Sequence, residues 1–169
     1  MKKVTKVYKV YSFDELDEKG KERVLRNLSE SNVENEWWEA VYDDAEEAGI
    51  KLTEFDIDRG QIIKGDFLLS AVDVAQKIVN DHGKDCETHK TAQKYLNERE
   101  RIVAVEDEDG EIDESVYEDI DKEFKHEILE DYLIMLRHEY EYQTSEEAVR
   151  ETIEANEYEF TADGEIFHA

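Results

Sequence analysis

The densest run of chemically capable side chains lies between Glu106 and Asp131, EDEDGEIDESVYEDIDKEFKHEILED, where fourteen carboxylates stand against two lysines. Carboxylates in such numbers could ligate a hard cation, move protons, or present an array of negative charge. Calcium is the first chemistry to test. With Gly110 at the sixth position of an EF-hand loop, Val105 falls at position 1 and Val116 at position 12, both of which must supply side-chain oxygens, so the motif fails. His82, Cys86 and His89, spaced i, i+4, i+7, are zinc-type ligands. Gly83, however, is expected to end a helix between the first and second of them, and the chain has no second cysteine. His126 and His138 are twelve residues apart, too far for joint ligation. No nucleophile stands beside a positioned base in any recognisable spacing. Gly60 and Gly65 are wrongly spaced for a phosphate loop. With 47 carboxylates in the chain, a pair of them carries no information about acid–base catalysis. The expectation is a non-enzyme without catalytic residues, metal or cofactor.

What remains is the charge itself, and a helix must position it. Tyr117, Ile120, Phe124, Ile128 and Met135 recur at helical spacing and predict a core stripe on a helix from about Asp113 to Tyr142. One flank then carries Asp119, Glu123, Glu127 and Glu130, and the other Glu114, Glu118 and Asp121. Carboxylates at i and i+4 lie about 5–6 Å apart and repel by a few tenths of a kcal/mol per pair. That separation is of the same order as the spacing of phosphates along a nucleic-acid strand, so two such rows could stand in for two backbone edges. Leu129, Leu133 and Leu136 extend the apolar surface to a second side, to be covered within the chain or across a homodimer.

The 169 residues carry a net charge of −26, distributed as +3 over residues 1–26, −9 over 27–105 and −20 over 106–169. Such a field repels nucleic-acid phosphates and anionic membrane surfaces, and selects basic partners. A salt-adapted acidic proteome is the bland alternative, but it sits poorly with seven Lys/Arg among residues 2–23. The single cysteine, Cys86, rules out an internal disulfide and suits a reducing cytoplasm. Neither a signal peptide nor a membrane-spanning run is expected.

Along the chain, Val4, Val7, Tyr8, Val10 and Tyr11 predict a first strand, and Ser12 with Glu15 a capping box for a helix over Phe13–Leu28. Ser31 with Glu34 predicts a second helix running to Ala48, with Trp37, Val41, Ala45 and Ala48 as its buried stripe. Trp38 lies off that stripe and is expected to pack on a neighbouring element. Because Trp dominates interface hot spots, it is also the candidate anchor for a partner. Ile50–Ile57 and Gln61–Leu69 read as a hairpin with a bulge between Leu52 and Phe55. Helices are expected from Ser70 to Gly83, from about Asp85, and from Thr144 or Ser145 to Ala155. Glu106–Glu111 reads as an acidic linker, and Tyr158–Thr161 with Glu165–His168 as a C-terminal hairpin. The fold class is therefore α+β: one domain over residues 1–169, its small antiparallel sheet drawn from the N-terminal strand and both hairpins, packed with five to six helices.

The segment KVYSFDELDEKGKERVLRNL and the later ENEWWEAVYDDAEEAGIKLTEFDIDRG resemble a group of small acidic uncharacterised phage and prophage proteins that open with Y-x-F-D-E-L. The likeness covers roughly residues 8–69 and implies a mobile element in a bacterial cell. Together with the charge, it leads to an expected inhibitor of a host defence nuclease, anti-CRISPR or anti-restriction. Such a protein would mimic nucleic acid in the basic groove of a CRISPR effector or restriction enzyme, in the bacterial cytoplasm. The other expectation is an acidic antitoxin or adaptor that binds one basic partner through Trp38 and the C-terminal hairpin.

Overall fold

The computed structural model describes residues 6–110 and 114–168, with the backbone alone over 104–109. It is α+β, with six α-helices and a two-stranded antiparallel sheet among the described residues. The chain forms two compact units, one of residues up to Trp37 together with those from Glu139 onward, the other Trp38–His138.

In the first unit, two N-terminal caps act in series. The Glu15 carboxylate accepts from the Ser12 backbone N–H at 2.9 Å, as the capping box predicts, but it closes only a 3-10 turn, Phe13–Glu15. The expected Phe13–Leu28 helix is broken at Leu16, which turns extended and buries its side chain. Asp17 is the stronger cap. Its carboxylate accepts from Gly20 N–H at 2.7 Å and starts α1, Glu18–Leu28. The Ser31 hydroxyl donates to the Leu28 carbonyl instead of capping a new helix, so a 3-10 turn, Ser31–Val33, replaces the predicted start of the second helix. Phe13, Leu16 and Val24 pack with Phe160 and with Val149 and Ile153 of the C-terminal helix, Glu146–Ala155, which Ser145 caps.

Over the described residues the predicted first strand is not formed. Val4 lies outside the described residues, Val7 and Tyr8 are exposed, and only Tyr11 makes a bridge, to Phe160. Strand propensity without a face to bury does not make a strand. The C-terminal hairpin likewise reduces to one bridge, Phe160 to Ile166, over a turn in which Gly164 N–H donates to the Thr161 carbonyl. Gly164 has φ +77°, and a Cβ there would stand 2.9 Å from the Gly20 carbonyl oxygen, so both conformation and space demand glycine.

The second unit holds the sheet. Helix α2, Glu39–Glu47, begins after Trp38, too late for its stripe to include Trp37 as predicted. Val41, Ala45 and Ala48 are buried, and Trp37 lies before the helix with its ring 5.4 Å from that of Tyr140. Strands β1, Ile50–Asp56, and β2, Ile62–Phe67, pair antiparallel, with the predicted irregularity between Leu52 and Glu54. Helix α3, Ala71–Asp81, is capped by Ser70, whose hydroxyl oxygen accepts from Asp73 N–H at 3.1 Å. Helix α4, Glu87–Asp109, and the length of α5, Glu114–Gln143, up to His138 complete the unit, and the C-terminal helix of the first unit is α6. The expected linker is thus mostly helix. Glu106–Asp109 continue α4, since Glu favours helix and no breaker intervenes before Gly110, whose φ of +96° ends it. Glu111, the last residue of that predicted linker, lies outside the described residues.

Candidate partner-binding surface

Helices α4 and α5 run antiparallel and are joined by side chains that fix their register. Thr91 donates to Asp131 at 2.6 Å, Lys94 to Glu127 at 2.5 Å, and Tyr95 and Arg99 both to Asp121 at 2.5 and 2.8 Å. Between these pairs the Tyr95 ring stacks on Phe124 with centroids 4.3 Å apart. The guanidinium of Arg99 lies 4.7 Å from the centre of the Tyr117 ring. Burial and the neighbouring Asp121 carboxylate push the Tyr95 hydroxyl well above its ordinary range. Burial raises Asp131, with the hydrogen bond from Thr91 opposing it and Glu87, Glu127 and Glu130 adding to it. The bond to Glu127 holds Lys94 charged above its usual range.

These locks divide the predicted rows. Asp121 and Glu127 are half-buried and spent on α4, so neither presents a free negative charge. Asp119, Glu123 and Glu130 remain on the solvent side of one row, and Glu114 and Glu118 on that of the other. Lys122 stands 4.0 Å from both Glu118 and Asp119, and His126 3.3 Å from Glu130. Glu123 has no ion pair among the described residues. At about 100° per residue, Asp119, Glu123, Glu130, Ile134 and Arg137 fall within about 60° of one another around α5. The exposed row therefore continues into Ile134 and Arg137.

No family model, curated protein or solved structure matches this chain. The surface must therefore be read from its own geometry. Beyond Glu130 the row runs into an open groove of about 400 Å³, lined by Ile62 and Ile63 of β2 and by Leu129, Leu133 and Ile134 of α5. His126 and Glu130 stand at it beside Gln61, with Arg137 one turn past Leu133. The leucines predicted to need cover, Leu129, Leu133 and Leu136, are all buried. Of the apolar side chains that line the groove, Ile134 and Ile62, at 40% and 43% exposure, are the ones left open. Helical periodicity places Ile134 on the acidic side of α5, but only the hairpin's position makes it one wall of a groove.

Trp38 sits at the N-cap of α2, half-buried, with its ring 5.8 Å from Phe55 in an edge contact, as the packing expectation has it. His82, Cys86 and His89, the zinc-type residues whose spacing argued against joint ligation, form no ligand cluster among the described residues. His82 is the C-cap of α3 and places Nδ1 2.7 Å from the Thr88 hydroxyl, while His89 Nδ1–H donates to the His82 carbonyl at 3.0 Å. Cys86 is exposed between them. Sequence spacing missed the partners that complete this cluster. Asp44 lies 3.6 Å from His82 Nε2 and accepts from the Tyr132 hydroxyl at 2.9 Å. Carboxylate, imidazole and hydroxyl stand in the order of a catalytic relay. Thr88 is only 3% exposed, however, so no substrate can reach its oxygen, and the cluster ties α2, the α3–α4 turn and α5 together instead.

Proposed function

We propose that the chain is a non-catalytic inhibitor that occupies the basic nucleic-acid groove of a host defence nuclease, a CRISPR effector or restriction enzyme, in place of nucleic acid. The observation that carries this reading is the exposed row Asp119–Glu123–Glu130, held on a helix whose register is locked by four cross-helix hydrogen bonds to α4. A decoy must present charge without reorganising, and a row on a braced helix does so at little entropic cost. The C-terminal charge of −20 adds long-range attraction, which speeds encounter with a basic groove and weakens with salt.

The test is a nuclease-inhibition assay against CRISPR effectors and restriction enzymes, with competing DNA. Added DNA should displace the chain. The triple substitution Asp119→Ser, Glu123→Ser and Glu130→Ser should weaken inhibition by at least about tenfold, about 1.4 kcal/mol, while leaving the fold intact. Inhibition unchanged in that variant, or indifferent to DNA, sinks mimicry through this helix.

A further inference from the structure

The exposed row is half of a longer strip. From Asp119 to Arg137 the solvent side of α5 spans about 27 Å, acidic over its first part and apolar where Ile134, Leu133 and Leu129 face Ile62 and Ile63. A decoy that used charge alone would have no need of a groove with isoleucine and leucine walls at the end of its charged row. Here the groove is built by two elements whose relative position is fixed. Lys125 donates to Asp66 at 2.5 Å, and a Cβ at Gly65 would stand 3.1 Å from the Leu129 side chain, so β2 lies hard against α5. The two open isoleucines are on opposite walls, one from each element.

We infer that this groove is the anchor point for a basic amphipathic segment of the partner protein, whose lysines or arginines lie along Asp119–Glu123–Glu130 and whose apolar side chains enter between Ile62 and Ile134. The inference rests on the proposed reading of the row as a partner surface, and adds the chemistry that row lacks. Charge complementarity selects the occupant. The approach to the groove is carboxylate, so an apolar segment flanked by bases enters it and one flanked by acids is repelled. The two parts of the strip divide the labour. The row sets the association rate and its salt dependence, while the isoleucine and leucine contacts in the groove, being short-range and little affected by salt, set how long the complex lasts.

The probes are two synthetic peptides of equal positive charge, an amphipathic lysine–leucine 14-mer and an oligolysine, each fluorescein-labelled and titrated with the full chain by anisotropy at about 0.1 and 0.5 M NaCl. The expected result is that 0.5 M salt releases oligolysine, while the lysine–leucine peptide stays bound. Ile62→Ser with Ile134→Ser should weaken the lysine–leucine peptide by about tenfold at high salt and leave oligolysine binding at low salt unchanged. Both side chains are partly open, and an unchanged circular dichroism melt shows that the variant folds. The inference is overturned if salt releases both peptides alike, or if the serine variant holds the lysine–leucine peptide as tightly as wild type. It is also overturned if sedimentation at 0.5 M NaCl shows a dimer that the variant dissolves, since the groove would then be filled by a second copy. Failure of the proposed reading shows separately, as loss of DNA competition in the nuclease assay with the peptide results intact.

Discussion

Two carboxylates on α5, two residues apart, should respond differently to the same substitution. Asp121→Ser removes an acceptor that takes hydrogen bonds from both Arg99 and Tyr95. A hydrogen bond to a charged group contributes about 1.5–3 kcal/mol when shielded. With side-chain exposures of 38% for Asp121 and 29% for Arg99, solvent screens the pair, and the combined loss is discounted to about 1–2 kcal/mol. Arg99 would keep its place over the Tyr117 ring, which limits the loss further. Glu123→Ser removes a charge with no close ion pair among the described residues; it relieves i, i+4 repulsion with Asp119 and Glu127, a gain of a few tenths of a kcal/mol, and gives up a longer-range attraction for Lys94. The serine itself costs helix propensity of similar size, so the net change is near zero. Urea denaturation followed by circular dichroism separates them: the Asp121 variant shifts to a lower midpoint at unchanged slope, and the Glu123 variant does not move. Equal losses in both, or none in the Asp121 variant, would show that the α4–α5 lock does not hold the helix and that the exposed row is not braced.

Two further outcomes test the surroundings of the surface. Burial raises the Asp131 carboxyl, so the folded state binds its proton more tightly than the unfolded state does; this group's contribution grows as pH falls through the raised value and is a cost at neutral pH. Asp131→Asn, which can still accept from Thr91, should match or exceed wild-type stability at pH 7 and lose that margin towards pH 4, read from urea midpoints across that range. Gly164→Ala and Gly110→Ala both place a side chain at positive φ, but among the described residues only the first meets a neighbour, the Gly20 carbonyl oxygen at 2.9 Å. The first should therefore cost more than the ~1–2 kcal/mol of left-handed backbone, and the second no more than that, so equal melting shifts would contradict the close approach at Gly164.

Much of the fold was written in local chemistry. Ser70 and Ser145 start helices where their spacing to the next turn says they should, and the phase slip after Leu52 marks the strand irregularity. Errors came where two local signals competed. Ser12 read as the cap of one helix from Phe13, but its capping box closes only a 3-10 turn, and Asp17, a cap the spacing did not single out, starts α1. Ser31 read as a cap and served as the stop of the helix before it. Glu106–Asp109 read as linker because of charge, yet repulsion of a few tenths of a kcal/mol per pair does not unwind a helix that contains neither proline nor glycine. Local spacing says little about aromatic and imidazole side chains, which are claimed by whichever tertiary neighbour comes within reach, as Phe55 packs on Trp38 and Thr88 meets His82.

By itself the sequence determined the charge, its concentration in the C-terminal third, and the helical phase that puts Asp119, Glu123 and Glu130 on one side of α5. Those follow from composition and from a 3.6-residue period, which need no knowledge of neighbours. Only the tertiary structure decided which carboxylates remain available. Lys94 and Arg99, some 20–35 residues away in sequence, reach Glu127 and Asp121 because α4 folds back antiparallel, and β2 makes a groove of Ile134. Long-range pairing depends on where the chain returns, and no local spacing records it.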